Sequence, residues 1–291
     1  VIKRAVVVGG AGAVGALFVE RLLQTGAEVT VVDTADPAEP DHRVSHVRGD
    51  VTAIGFRLAA ELGHADLVVL ALPDAVALAS VRGIAEELRP GALLVDTLSV
   101  KQPITEAIRA QAPGVQAVGL NPMFAPSLGF DGRPVAAVVV HEGPRTEELL
   151  ALVESWGATV VRVDAAQHDQ LAGATQALTH AAVLGFGLAL TELGVPAADL
   201  RPVAPPPANT MLALLARIAS GTPEVYWDVQ YANPEAAGVR KTLADSLHRL
   251  AGIVEHGTEN DFAAVLDELR TYLGEDLAHH RDTCARLFAL A

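Results

Sequence analysis

The chain has one cysteine, Cys284, in 291 residues. It cannot close an internal disulfide, and no Cys/His cluster has zinc spacing, so no metal is expected and a reducing cytoplasm fits. Positive charge is also scarce. Lys and Arg number 21 against 35 Asp and Glu, a net charge of −14. Most of such a surface repels a phosphate backbone, which excludes nucleic acid as a partner. An anionic substrate would need a locally positive pocket. Residues 3–19 imitate a signal peptide, with Lys3 and Arg4 before an apolar run. Gly9, Gly10, Gly12 and Gly15 interrupt that run, and Glu20 and Arg21 end it. No stretch is read as reaching membrane-spanning length free of charges. A soluble, cytoplasmic protein with no membrane partner is expected.

What the chain has is apolar content: 51% of residues are hydrophobic and 19% charged, which rules out global disorder. At about 150 residues per domain the length suggests two domains. Strand patterns fall at Ala5–Val8, Glu28–Asp33, Leu67–Leu72, Ala92–Asp96, Val115–Gly119, Val135–Val140 and Thr159–Val163. Helical patterns fall between them at Val14–Gly26, Ala75–Leu88, Ile104–Gln111 and Thr146–Trp156. This alternation predicts an α/β Rossmann-like, doubly wound sheet. Beyond Asp164 strand patterns stop, and helices are predicted over 166–193, 208–220, 235–256, 259–272 and 274–290, with Asn209 or Thr210 as a cap. The expected domains are therefore 1–164 and an all-α domain over 165–291. The second is rich in apolar positions such as Leu215, Leu247, Leu250 and Leu266, a face that favours a homodimer.

The first strand runs into Gly10-Ala-Gly12-Ala-Val-Gly15, and Asp33 ends the next strand 18 residues beyond Gly15. Gly10 permits the tight turn, Gly12 lets the main chain approach a pyrophosphate, and Gly15 lets helix and strand pack. The helix start at Ala13 and Val14 offers free N–H groups to phosphate. Asp33 can accept from both ribose hydroxyls and repels a 2′-phosphate. No basic residue follows until His42 and Arg43, so NAD is expected as cofactor. Leu72 and Pro73, leaving another strand at the same edge, are further cofactor-binding candidates. Glycine turns are common between strands and helices, but here strand, turn, helix, second strand and acid all stand at the required spacing.

Three later clusters are Asp96-Thr-Leu-Ser99-Val-Lys101, Asn121-Pro122-Met123-Phe124-Ala-Pro126, and Gln167-His168-Asp169-Gln170 with Gln176 and His180 one turn apart. Taken singly, each has an ordinary structural reading. Ser99 can cap a helix near Pro103, Asn121-Pro122 can be a turn, and His180 can be a core residue. His279, His280 and Cys284 read as a solvated helix face.

In their order, these motifs resemble the prephenate/arogenate dehydrogenases of tyrosine biosynthesis over nearly the whole chain. The resemblance implies a Rossmann domain, a helical dimerisation domain, and a cyclohexadiene dicarboxylate as substrate. It also implies NAD(P)-linked loss of hydride from C4 coupled to loss of the C1 carboxylate as CO₂. Ser99, Asn121 and His180 are the expected catalytic residues. Lys101, Met123, Gln176 and Arg240 join them as expected substrate-binding residues.

The sequence departs from the family where a catalytic histidine precedes Pro-Met-Phe: this position is Asn121. A hydroxyl gives up hydride reluctantly unless a base draws off its proton, and asparagine cannot titrate. An amine at C4 needs no such base. The expected substrate is therefore 4-amino-4-deoxyprephenate, giving 4-aminophenylpyruvate on a route to aminophenylalanine antibiotics; prephenate or arogenate is the alternative. The family's arginine after Tyr226-Trp227-Asp228 is also missing, and Arg240 or Lys241 is the expected substitute, with Lys101 and His180 as further cations. A β-hydroxyacid dehydrogenase would carry a catalytic lysine over 168–192, where this chain has none. A non-catalytic NAD(H)-sensing protein remains the alternative of another class. The sequence carries neither an ACT-like tail nor a chorismate mutase segment, so feedback by tyrosine is not expected.

Overall fold

The computed structural model describes residues 2–36 and 41–289. They form two compact units, Val1–Ala172 and Gly173–Ala291.

The first unit runs β1 (Arg4–Val8), α1 (Ala13–Gln24), β2 (Glu28–Asp33), β3 (Ser45–Arg48), α2 (Phe56–His64), β4 (Leu67–Leu70) and α3 (Asp74–Glu87). It continues through β5 (Leu93–Asp96), α4 (Gln102–Gln111), β6 (Gln116–Pro122), β7 (Pro134–His141), α5 (Pro144–Ser155), β8 (Thr159–Arg162) and α6 (Ala165–Ala172). Its eight strands lie in the order β3-β2-β1-β4-β5-β6-β7-β8. Among the described residues only the β6–β7 pair is antiparallel.

Both faces of the sheet's central strands are buried. In β1, Ala5 and Val7 pack with Phe18 and Leu22 of α1 and Leu149 and Val153 of α5. Val6 and Val8 pack on the other face with Leu62 of α2, Val81 and Ile84 of α3, and Ile104 and Ile108 of α4. Double burial explains why the strands read as continuous apolar runs. Two elements departed from expectation: β3 and α2 were not foreseen. β3 buries Val47 alone, as a short edge strand does, and α2 buries only Leu58 and Leu62.

The boundary also moves, from 164 to 172. α6 stays with the sheet because the Asp169 carboxylate accepts from the main-chain amides of Lys101 (2.7 Å) and Gln102 (2.9 Å).

The second unit opens with a π-helical turn, Gly173–Ala177, followed by α7 (Leu178–Glu192), α8 (Ala197–Leu200) and α9 (Pro206–Ala219). α10 (Pro223–Tyr231), α11 (Ala236–His256), α12 (Glu259–Leu273) and α13 (Leu277–Phe288) complete it. Neither α8 nor α10 was foreseen. Asn209 and Thr210 lie inside α9 rather than capping it, because Pro206 and Pro207 already fit a first turn and start the helix earlier. Residue 290, the expected end of the last helix, falls outside the described residues.

By length and composition alone, Ala165–Glu192 is one helical run long and apolar enough to span a membrane. This corrects the expectation that no such stretch exists. Its first turns hold the buried His168 and Asp169, both hydrogen-bonded within the α/β unit.

Candidate active site

The glycine turn after β1 is built by close approach. Gly9 has φ 75°, and a Cβ there would collide with the Ala71 carbonyl oxygen. The left-handed demand thus falls on Gly9, one residue before the position expected to make the turn. A Cβ on Gly15 would collide with the Gly9 carbonyl, and one on Gly10 would stand 2.8 Å from Val31 Cγ1. Gly12 is the N-cap of α1 and has no capping side chain, so the first-turn amides of Ala13, Val14 and Gly15 suit an anion. Leu72 flanks Gly9, while Pro73 is the exposed N-cap of α3.

Asp33 ends β2, and its Oδ1 accepts from the Thr34 amide at 2.8 Å. Because β3 runs parallel to β2, Arg48 stands in register with Asp33. A small cavity is lined by Ala11, Val31, Asp33, His46 and Arg48. Sequence distance had hidden His46 and Arg48, which are basic neighbours of Asp33 through strand pairing. The cradle fits a dinucleotide: main-chain amides where the pyrophosphate would lie, and a carboxylate where the ribose would lie.

Ser99 and Asn121 share the carboxyl edge of the sheet. Asp96 pairs with Gly119, so Asn121 lies two residues beyond the end of β5. Ser99 is half-buried in the bend between β5 and α4. It does not cap α4: Lys101 is the N-cap residue and no side chain of its own segment caps the helix, the Asp169 carboxylate taking that place from α6. Asn121 is buried, and its Nδ2 lies 3.0 Å from His168 Nε2. His168 Nδ1 lies 2.7 Å from Asp169 Oδ1. Burial pushes the Asp169 carboxyl up, but the His168 ring and the two main-chain amides outweigh it and hold it below the usual carboxylate value. Met123 is half-buried just past β6, its amide donating to the Pro134 carbonyl at 3.1 Å.

Lys101 corrects an expectation. It is fully buried, and its Nζ donates to Asp96 Oδ1 (2.5 Å) and to the Leu120 carbonyl (3.0 Å). It ties β5, α4 and β6 together beneath Asn121 and is not a cation open to a ligand. Gly119 makes room for this pair, since a Cβ there would stand 2.7 Å from Asp96 Oδ2.

In the helical unit, Gln176 belongs to the π turn, and His180 to the first turn of α7. π turns often mark functional positions. The His180 ring packs edge-on against Tyr226 at 5.2 Å. Burial, with the Arg217 charge second, holds His180 below its usual value. That direction favours the neutral, hydrogen-bonding ring over the cation expected from the sequence. Arg217, in the last turn of α9, is the cation within electrostatic range of His180, and sequence reading missed it. No sequence motif marks it; only the packing of α7 and α9 does. Arg240 is committed elsewhere: its Nη1 donates to the Gln230 carbonyl (2.5 Å) and Oε1 (3.0 Å), and Gln230 Nε2 donates to the Ala177 carbonyl (2.8 Å). It braces the end of the π turn. Among the described residues, no group of three or more His, Cys, Asp or Glu is arranged to hold a metal.

Residues 24–137 match the prephenate dehydrogenase nucleotide-binding domain, and residues 164–268 match the prephenate dehydrogenase dimerization domain. The chain is 55% identical over 288 residues to the 4-amino-4-deoxyprephenate dehydrogenase of Streptomyces pristinaespiralis, covering 99% of this chain and 97% of that protein. The chain belongs to the prephenate dehydrogenase family. It is also similar to a probable arogenate/prephenate dehydrogenase of Methanocaldococcus jannaschii, at 27% identity over 93% of this chain and 61% of the relative. Among solved structures, the prephenate dehydrogenase from A. aeolicus in complex with hydroxyphenyl propionate and NAD+ shares its fold. The TM-score is 0.74 at 18% identity, covering 94% of this chain and 97% of the other. As a prephenate dehydrogenase family member the protein is an oxidoreductase, with the Rossmann-like unit followed by the helical one that the sequence implied.

Proposed function

We propose that this prephenate dehydrogenase family member catalyses the oxidative decarboxylation of 4-amino-4-deoxyprephenate to 4-aminophenylpyruvate and CO₂, with NAD as oxidant. The observation that carries the reading is Asn121, buried and hydrogen-bonded at the strand end where the family's base is expected. The 55% identity to a protein named for this reaction supports it.

The first-turn amides of α1 and Asp33 would hold NAD, which would supply the hydride acceptor. At the substrate, the C4–H bond breaks with its electron pair leaving as hydride, while the nitrogen lone pair forms the C=N bond of an iminium. The C1–carboxylate bond then breaks, and its electrons complete the aromatic ring as CO₂ departs. Asn121 Oδ1 accepts an N–H hydrogen bond and places the negative end of its dipole at the developing positive charge. An O-protonated carbonyl is a far stronger acid than an iminium, which is why a hydroxyl substrate needs a base and the amine does not. Ser99, on the same edge, is proposed to orient the ring. Gln176 and His180 are proposed as neutral ligands of the substrate carboxylates and Arg217 as their cation. These roles are positioning and electrostatic, which is what a dehydrogenase of this kind requires of its protein.

The helical unit exposes Leu247, Val254, Phe262, Leu269 and Tyr272 among other apolar side chains. Such a surface suits a homodimer, in line with the dimerization domain it matches. A cytoplasmic location is part of this proposal, since NAD would be at hand there. Incubation with NAD and 4-amino-4-deoxyprephenate should give NADH, CO₂ and 4-aminophenylpyruvate in equal amounts. NAD binding without any of these products would favour a nucleotide-sensing protein instead.

A further inference from the structure

We propose that His168 is a positioning residue: it determines which end of the Asn121 carboxamide faces the substrate, and so sets the preference for nitrogen over oxygen at C4. The inference rests on the amino-substrate reading above.

The argument runs outward from Asp169. Its carboxylate is buried and faces the Lys101 and Gln102 amides and the His168 ring, the last at 2.7 Å. An ionised carboxylate only accepts, so the proton of a neutral His168 ring resides on Nδ1. Nε2 then carries a lone pair and must meet a donor. The group 3.0 Å away is the Asn121 carboxamide, which can satisfy it only by turning Nδ2 towards the ring. Both side chains are buried, Asn121 at 4% exposure and His168 at 2%, so a flipped amide would set the lone pairs of Oδ1 against that of Nε2. Oδ1 therefore points away from His168, and no hydrogen bond reaches it from the described residues.

An unanchored asparagine offers either end of its amide to a ligand. The amine of the proposed substrate needs an acceptor both before and after hydride loss: its N–H bonds persist, and the nitrogen becomes positive. An amide N–H₂ facing it would oppose both. The His168–Asp169 pair removes that choice before the substrate arrives, which is preorganisation of a dipole rather than proton transfer. This gives His168 and Asp169, two residues of the His-Asp-Gln segment remote in sequence from Asn121, a defined part in specificity.

The test measures kcat/KM for 4-amino-4-deoxyprephenate and for prephenate in the whole protein and two variants. His168→Asn keeps a donor towards Asp169 and loses the acceptor towards Asn121; His168→Gln can still present an acceptor to Asn121. The ratio of amino to hydroxyl substrate should fall by about tenfold or more in His168→Asn. It should fall less in His168→Gln, with the Kd for NAD unchanged in both. Equal losses on both substrates, leaving the ratio fixed, would overturn the proposal. Nitrogen-15 NMR of the wild-type His168 ring decides independently of folding in the variants: a proton on Nδ1 with Nε2 bare is expected, and a proton on Nε2, with or without one on Nδ1, overturns it. A wild-type ratio at or below one would instead sink the amino-substrate reading, and leaves the NMR result to judge His168 separately.

Discussion

The main-chain amide of Lys101 donates to the carboxylate of Asp169 at 2.7 Å across 68 residues of sequence. One buried acid thereby caps α4, orients His168, and holds α6 to the sheet.

Asp169→Asn puts an N–H₂ where two amides and a ring N–H all need an acceptor. A loss of about 1–3 kcal/mol is expected from the unsatisfied donors, measured by urea denaturation. The wild-type carboxyl is held below its usual value of 3.8. Its stabilisation is therefore complete above the unfolded carboxyl's pKa and lost as pH falls through the folded value. The variant should lose that acid-side slope; an unchanged slope would show that Asp169 does not carry it.

Asp33→Ser removes the carboxylate that opposes a 2′-phosphate and leaves Arg48 and His46 lining the same cavity. Steady-state kinetics should show kcat/KM for NADP rising by about tenfold or more and that for NAD falling, the scale of a charge-assisted hydrogen bond. No cation needs to be introduced. A variant that loses NAD without gaining NADP would show that Arg48 cannot reach the 2′ position.

These two sites differ in how much of them the sequence reveals. The glycine spacing, Asp33 and the apolar strands depend on local geometry, so they are readable in order along the chain. Arg48 beside Asp33, the Lys101–Asp96 pair and the Asn121–His168 contact depend on strand order and on α6 folding back, which periodicity does not encode. Lys101 is the plainest case. A lysine in a loop reads as a cation for ligands, yet burial turns it into a brace between β5 and β6. The edge strand β3 and the short α2 escaped for a simpler reason: each buries too few apolar residues to leave a pattern.

Arg217→Ala should raise KM for the substrate by about tenfold to a hundredfold, as expected when a charged partner of a carboxylate is lost, with a smaller change in kcat. The same variant should let His180 titrate closer to its usual value, since the Arg217 charge adds to burial in holding it down. NMR titration of the His180 ring checks this. Unchanged KM would remove Arg217 from the substrate's surroundings.

Asn121→His installs a group that can accept the proton of a C4 hydroxyl. General-base help is worth about 10²–10⁴-fold, so prephenate turnover should rise by at least about tenfold while turnover of the amino substrate falls. A protonated imidazole would oppose the iminium charge, which is the reason for the loss. If neither activity shifts, residue 121 is not the discriminator.

The most direct measurement is an internal competition: equal concentrations of 4-amino-4-deoxyprephenate and prephenate in one reaction with NAD, stopped at low conversion. The product ratio then reports relative kcat/KM for the two substrates. An Asn121 carbonyl held towards the substrate by His168 predicts a large excess of 4-aminophenylpyruvate. Equal amounts, or an excess of 4-hydroxyphenylpyruvate, would contradict it.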